Sequence, residues 1–301
     1  MPPAQSPAVT PDSFPEAAQV PRIGAPPGVA VEDSLQDLAA EAATIPVSSP
    51  LYRYDFSTMG GRLTGITLPT YRSMAPEDTG RIAQLLYPDS DLLSFSVLVG
   101  RDTLHLDRWV FEPSAPSLGV TAPAPLTLTA SRGNVSVRLN YAFVPDNFLI
   151  QAQGEITGLG PNGGVLLIGM GPGIRNTEAD SVDNQRSLAV VTMANGAEAT
   201  NFHEFNPGQT TALEGPFQWV AIKSKYFVTA LFTLDSTLPR LTGVTATPAA
   251  TAGKNPNRAA IKTSLSLSGN GRFGFQLYAG PMEYDRLSAI GHDFDDVNPY
   301  G

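Results

Sequence analysis

With 301 residues, no cysteine and a formal net charge of -9, the chain can fill one large domain or two smaller ones, without disulfides, thiolate metal sites or a thiol nucleophile. Its Lys and Arg residues are scattered, which argues against a broad nucleic-acid surface, where clustered basic side chains displace phosphate counterions. No run reaches the roughly 18 apolar residues of a membrane-crossing helix, and Met1-Pro2-Pro3 opens without the basic and apolar regions of a signal peptide, so a role outside the cytoplasm would require an export signal or anchor elsewhere.

Residues 1–46 hold nine prolines, many alanines and few large apolar side chains, the composition of an extended tether rather than a core. Within it, Val31, Leu35, Leu38 and Ala42 recur at helical spacing among acidic residues and predict a short amphipathic helix. From Val47 the pattern turns to strands. Leu51–Phe56 and Arg62–Leu68 predict a hairpin, with Gly60 and Gly61 supplying the positive φ of its turn.

Further strands are predicted at 95–99, 103–106, 110–111, 126–130, 135–143, 148–156, 165–170 and 187–193. Pro145-Asp146-Asn147 makes the turn of a second hairpin between 135–143 and 148–156. Around Pro216–Leu234, two apolar runs meet at Ser224. Phe217, Trp219 and Ala221 lie in the first; the second, from Tyr226 and Phe227 to Leu234, has little polarity on either face, which predicts a strand covered on both sides at the middle of a sheet. Strands at 241–247, 259–267 and 273–278 complete an all-β set, expected to form a sandwich of antiparallel sheets over 47–280. After Gly280, Pro281 suits a first helical turn, Glu283 and Asp285 complement the helix dipole, Leu287 and Ile290 lie three apart, and Gly291 ends a short C-terminal helix within 281–301.

Little of this marks chemistry. His105, His203 and His292 share no motif. Gly169-Met-Gly-Pro-Gly173 lacks the Lys-Ser/Thr of a phosphate loop and reads as a bend at the sandwich edge. Glu178, Asp180 and Asp183, like Asp293, Asp295 and Asp296, fit no calcium-loop spacing and read as solvated acidic surface. A sugar-binding or sugar-converting sandwich drawing on loop carboxylates is the alternative class.

Three stretches carry a more specific signal: Tyr54-Asp-Phe-Ser-Thr-Met-Gly-Gly-Arg-Leu63 with Leu68-Pro-Thr-Tyr71, Trp219-Val-Ala-Ile-Lys-Ser-Lys-Tyr-Phe-Val-Thr-Ala230, and Leu277-Tyr-Ala-Gly-Pro-Met-Glu-Tyr-Asp-Arg-Leu287. In this order, behind a proline-rich leader, they resemble the large periplasmic domain of the bacterial membrane protein insertase YidC. The resemblance implies a β-supersandwich of galactose mutarotase-like architecture with a C-terminal helix packed on it, and no cofactor, metal or catalytic residue in this chain. It implies transmembrane helices outside the chain, a place on the periplasmic face of the inner membrane, and nascent membrane proteins and the Sec translocon as partners. Tyr284, Leu287, Ile290 and Phe294 are the expected interaction or packing face of the helix. The overall negative charge is expected to disfavour close contact with anionic headgroups.

Overall fold

The computed structural model describes residues 42–233 and 240–298. The predicted tether helix at 31–42 lies almost wholly outside them, and only its last residue, Ala42, is described, outside any helix. Three sheets form the described fold. A five-stranded sheet comprises β1 (Thr44–Ser48), β2 (Arg53–Ser57), β3 (Leu63–Arg72), β4 (Ile82–Gln84) and β8 (Leu118–Gly119), in the order β4-β3-β2-β1-β8. A six-stranded sheet has the order β15-β18-β19-β12-β5-β6, from β5 (Phe95–Val99), β6 (Asp102–Leu104), β12 (Gly164–Gly169), β15 (Thr211–Phe217), β18 (Leu241–Thr247) and β19 (Ala260–Leu267). The nine-stranded sheet is made of β7 (Glu112–Pro113), β9 (Ala124–Arg132), β10 (Val135–Phe143), β11 (Leu149–Thr157), β13 (Ala189–Met193), β14 (Ala197–Asn201), β16 (Trp219–Lys223), β17 (Phe227–Thr233) and β20 (Arg272–Pro281). Its order is β14-β13-β16-β17-β20-β11-β10-β9-β7. Every pairing is antiparallel except the short β1–β8 contact.

The two smaller sheets contribute rings to the inner face of the large one. Phe56 of β2 meets Tyr141 of β10 at 5.0 Å between ring centroids, and Phe95 of β5 meets Phe273 of β20 at 6.0 Å. Alternation along β10 explains the layering: Val137, Leu139, Tyr141 and Phe143 point inward and are buried, while Ser136, Arg138 and Ala142 face solvent.

The outer face of the large sheet is closed over only part of its width. Helix α2 (Tyr284–Ile290) and a 3-10 turn at Phe294–Val297 fold back across β16, β17 and β20, burying Leu287, Phe294 and Val297. β17 therefore has cover on both faces, as its unbroken apolar run predicts, and from Phe227 to Phe232 no residue exceeds 5 % exposure. Over β10 and β11 the same outer face stays open and polar, presenting Arg138, Gln151 and Gln153.

The structure corrects several boundaries. The sandwich begins at Thr44, so its first strand takes in Pro46 from the stretch read as tether. The short β8 reaches only Val47 and Ser48, leaving an unpaired edge where proline is tolerated. Pro281 does not open the C-terminal helix. It is the last residue of β20, opposite Phe227, and the ladder goes on with Met282 N–H donating to the Tyr226 carbonyl. Gly280 beside it is a close-approach site rather than a break, since a Cβ there would lie 2.7 Å from Phe148 Cγ. Ser187 ends a helix, α1 (Ser181–Ser187), instead of starting a strand.

Candidate functional site

The β16–β17 turn places Lys225 and Tyr226 at one end of the nine-stranded sheet, closed by the Ser224 N–H donating to the Phe227 carbonyl at 2.8 Å. Tyr226 is 52 % exposed at the tip, whereas Phe227 turns inward and meets the Tyr71 ring edge-on at 5.5 Å. Three other segments converge here. Helix α1 is capped by the Asp180 carboxylate, which accepts from Val182 N–H and Asp183 N–H, and its Asp183 pairs with Lys225 at 2.5 Å. The start of α2 contributes Tyr284, 53 % exposed. Asn298 closes the set, its side-chain oxygen accepting from Lys223 Nζ at 2.7 Å. Burial holds the Lys223 ammonium below its ordinary pKa.

Helix α2 spans only seven residues and has no side-chain N-cap bond, so tertiary contacts must support it. Gly291, at φ +79°, ends it and turns the chain through left-handed His292 and Asp293. That turn delivers Phe294 edge-on to Trp219, Phe232 and Tyr278, with centroids 5.3, 4.6 and 5.6 Å away. Trp219 Nε1–H donates to the His292 carbonyl at 2.9 Å. At the other end of α2, Glu283 accepts from the Tyr71 hydroxyl and pairs with Arg286 at 3.1 Å. The Tyr71 bond holds the Glu283 carboxyl below its usual range. Burial, and then Glu283, push the Tyr71 phenol up to about 12.

Between α2 and the open half of the sheet runs a groove of about 570 Å³, lined on the sheet side by Asn147, Leu149 and Gln276 and on the helix side by Glu283, Arg286 and Ile290. His292 and Asp285 also reach it. A second cleft, of about 580 Å³, lies under the β18–β19 loop, where Arg258 pairs with Asp89 and stacks over Tyr87 at 4.4 Å. Burial raises the pKa of Asp91 on its wall.

Of the four residues expected on the helix face, Leu287 and Phe294 are fully buried, Ile290 is half-buried along the groove, and Tyr284 points outward. Trp219, Phe227, Gly280 and Pro281 belong to the sheet beneath, and Gly60 and Gly61 make the β2–β3 turn, Gly60 pressed against the Asp107 backbone. Of the acidic residues read as surface, Asp180 caps α1 and Asp183 binds Lys225. Among the described residues, no three His, Asp or Glu side chains gather as a metal site. The groove's sheet wall gave no sequence signal, because Asn147, Leu149 and Gln276 are ordinary turn and strand residues until the helix is laid beside them.

Against known families, residues 44–301 match the model described as the YidC periplasmic domain, which takes in every described strand and helix. The chain belongs to the YidC periplasmic domain family. Among curated relatives, the membrane protein insertase YidC of Chlorobaculum tepidum is 23% identical over 274 residues, covering 86% of this chain and 45% of the relative. That of Oleidesulfovibrio alaskensis is 22% identical over 265 residues, covering 87% and 48%. The chain thus spans a little under half the length of these YidC relatives, and among its described residues no helix is long and apolar enough to cross a membrane. Solved structures similar in fold include a galactose mutarotase related enzyme from Lactobacillus acidophilus, with TM-score 0.47, 13% identity and coverage of 78% of this chain and 97% of that one. A putative aldose 1-epimerase from Escherichia coli K12 gives TM-score 0.45, 10% identity and coverage of 80% and 99%.

Proposed function

We propose that the chain is a non-catalytic domain of a membrane protein insertase, stationed on the periplasmic face of the inner membrane. In this reading it assists the insertion and folding of nascent membrane proteins, alone or beside the Sec translocon, and the membrane-embedded machinery lies in other parts of the protein. The family match over residues 44–301 is the observation that carries the proposal. The architecture is compatible with a positional role: the C-terminal segment is built into the sheet through Leu287, Phe294 and Val297, so α2 has a fixed orientation on the sandwich.

The test is rescue of cells depleted of their own insertase by the longer protein carrying variants in this domain. Deleting residues 281–301 would remove the buried Leu287, Phe294 and Val297 together with Pro281, the last residue of β20, and confuse unfolding with loss of function. The single change Ala289→Glu, at an exposed position on the groove wall, avoids this problem. Impaired insertion with an unchanged melting temperature supports the reading. Full rescue, or equal impairment from Asn134→Glu with Asn270→Glu at the far end of the sheet, refutes the role given to the helix. A sugar-active reading would use the groove that Glu283, Asp285 and His292 line, although Glu283 is already engaged by Tyr71 and Arg286. Anomerisation of glucose or galactose by the chain, abolished by His292→Ala, would bring that reading forward.

A further inference from the structure

Of the six strands that end the three sheets, all but β14 are blunted against pairing with another chain. β7 and β8 span two residues each, β7 ending in Pro113, while β4 and β6 span three. β15 bulges between Glu214 and Phe217 and carries Pro216 there. β14 has none of these devices: its five residues contain no proline and pair with β13 in unbroken register. The Phe202 N–H donates to the Leu188 carbonyl on the β13 side, so Glu198 and Thr200 also turn their main-chain groups to β13, and those of Ala197, Ala199 and Asn201 face outward. Asn201 N–H donates to the Glu204 carboxylate at 3.2 Å. Among the described residues, the N–H and carbonyl groups of Ala197 and Ala199 have no partner on that side.

Donors and acceptors in this alternation are matched by another extended main chain. The side chains indicate which kind. Ala197 shares the outer face with Met193 and Trp219, beneath the strap, and the 3-10 turn Phe294–Val297 lies alongside the strand. Carboxylates surround this edge: Glu198 on the strand, Glu204 at its end, Asp295 and Asp296 in the neighbouring turn and Asp293 just before it. The basic groups nearest are turned to other tasks or other clefts. Lys223 donates to Asn298, Lys225 pairs with Asp183, Arg186 and His203 line the cleft beyond α1, and Lys254 belongs to the β18–β19 loop on its far side. We propose that β14 is a docking edge for an extended, basic segment of another polypeptide, which joins the large sheet as one more strand with lysine or arginine side chains answering these carboxylates. A second copy of this chain, with its own net charge of -9 and its own Glu198, is the poorer match. The inference goes beyond the functional reading and does not depend on it.

The probe is an octapeptide of alternating lysine and valine, added to the isotope-labelled full chain and followed by amide hydrogen exchange. At saturation the Ala197 and Ala199 amides should exchange about tenfold or more slowly, as for amides drawn into a ladder. An octapeptide of alternating glutamate and valine should bind about tenfold or more weakly. Main-chain pairing has a further signature: N-methylation of one alternate set of peptide residues should abolish binding, and N-methylation of the other set should spare it. Ala199→Pro, which removes an outward N–H where an edge strand tolerates proline, should abolish binding too. Unchanged exchange at Ala197 and Ala199, equal binding of the glutamate peptide, or equal effects of the two methylation patterns would each overturn the proposal. So would protection of the two amides that rises with chain concentration without peptide, since a second copy would then be the occupant. The peptide comparisons use the native chain, so the proposal stays testable even where Ala199→Pro fails to fold. No insertion activity enters the measurement, which separates its failure from that of the rescue experiment.

Discussion

Replacing Phe294 with alanine tests whether the C-terminal segment is structural cover for the large sheet. The ring is fully buried and contacts three aromatic rings edge-on, so the change opens a cavity over β16, β17 and β20 instead of trimming a surface group. Core Phe→Ala changes cost about 3–5 kcal/mol, the upper part applying where rigid neighbours cannot collapse into the space. Trp219, Phe232 and Tyr278 are such neighbours, each fixed in a strand. For a domain of this size, roughly 2–4 °C per kcal/mol gives a fall in melting temperature of about 6–20 °C. Urea unfolding followed by tryptophan emission reads the same event locally, because both tryptophans, Trp109 and Trp219, are buried in the native chain. The variant should also show red-shifted native emission as Trp219 meets water and its bond to the His292 carbonyl loosens. A loss below about 1 kcal/mol with unchanged emission would refute the reasoning, since it would mean the segment contributes nothing to the cover.

Four further outcomes are expected. Gly60→Ala should destabilise the domain by about 1–3 kcal/mol in urea titration, because the residue sits at φ +74° and a Cβ would lie 2.8 Å from the Asp107 carbonyl oxygen. Asp180→Ala should cost about 1 kcal/mol, since it removes the acceptor for two N–H groups at the start of α1, and Asp180→Asn should recover most of that loss. Glu283 titrates lower when folded than unfolded, so its stabilisation is present above the ordinary carboxylate pKa and disappears as pH falls through the depressed value. Glu283→Gln should therefore flatten the acid limb of the melting-temperature profile. Its partner Tyr71 has the opposite sign: its contribution is complete below about pH 10 and lost as pH rises towards about 12, so Tyr71→Phe should flatten the alkaline limb.

Where burial alternates cleanly, the strands were legible from residue types alone. β10 falls at the predicted residues because inward Val, Leu and aromatic side chains alternate with polar ones; β5 and β18 also fall there, although β5 buries Ser96 and turns Leu98 outward and β18 carries a bulge between Leu241 and Gly243. The doubly covered β17 was legible for a related reason, since only a strand with neighbours on both faces tolerates Phe-Val-Thr-Ala-Leu-Phe. Elements stabilised by single polar contacts were not. Helix α1 buries only Asn184, so it has no apolar stripe and its cap, Asp180, passed for loop acidity. The edge strand β14 reads Ala-Glu-Ala-Thr-Asn, with no hydrophobic face to announce it. At the candidate site, the outward Tyr284 and buried Leu287 were both named from the helical pattern, but which would be covered depended on a strap passing through Gly291 and two left-handed residues. The groove needed long-range geometry, since Asn147 and Glu283 lie far apart in sequence.

The order of strands in the large sheet bears on how the domain is made. β20, the last strand, lies between β17 and β11, so the two halves of that sheet have no hydrogen bonds to each other until residues 272–281 are in place. A chain emerging from its N-terminus must keep two unsatisfied strand edges, one along Phe227–Thr233 and one along Leu149–Glu155, until synthesis is nearly finished with this domain. Closure then comes as a single late event, like fastening a clasp, and the interval before it is when these edges are open to holdase capture or to pairing with a neighbouring nascent copy.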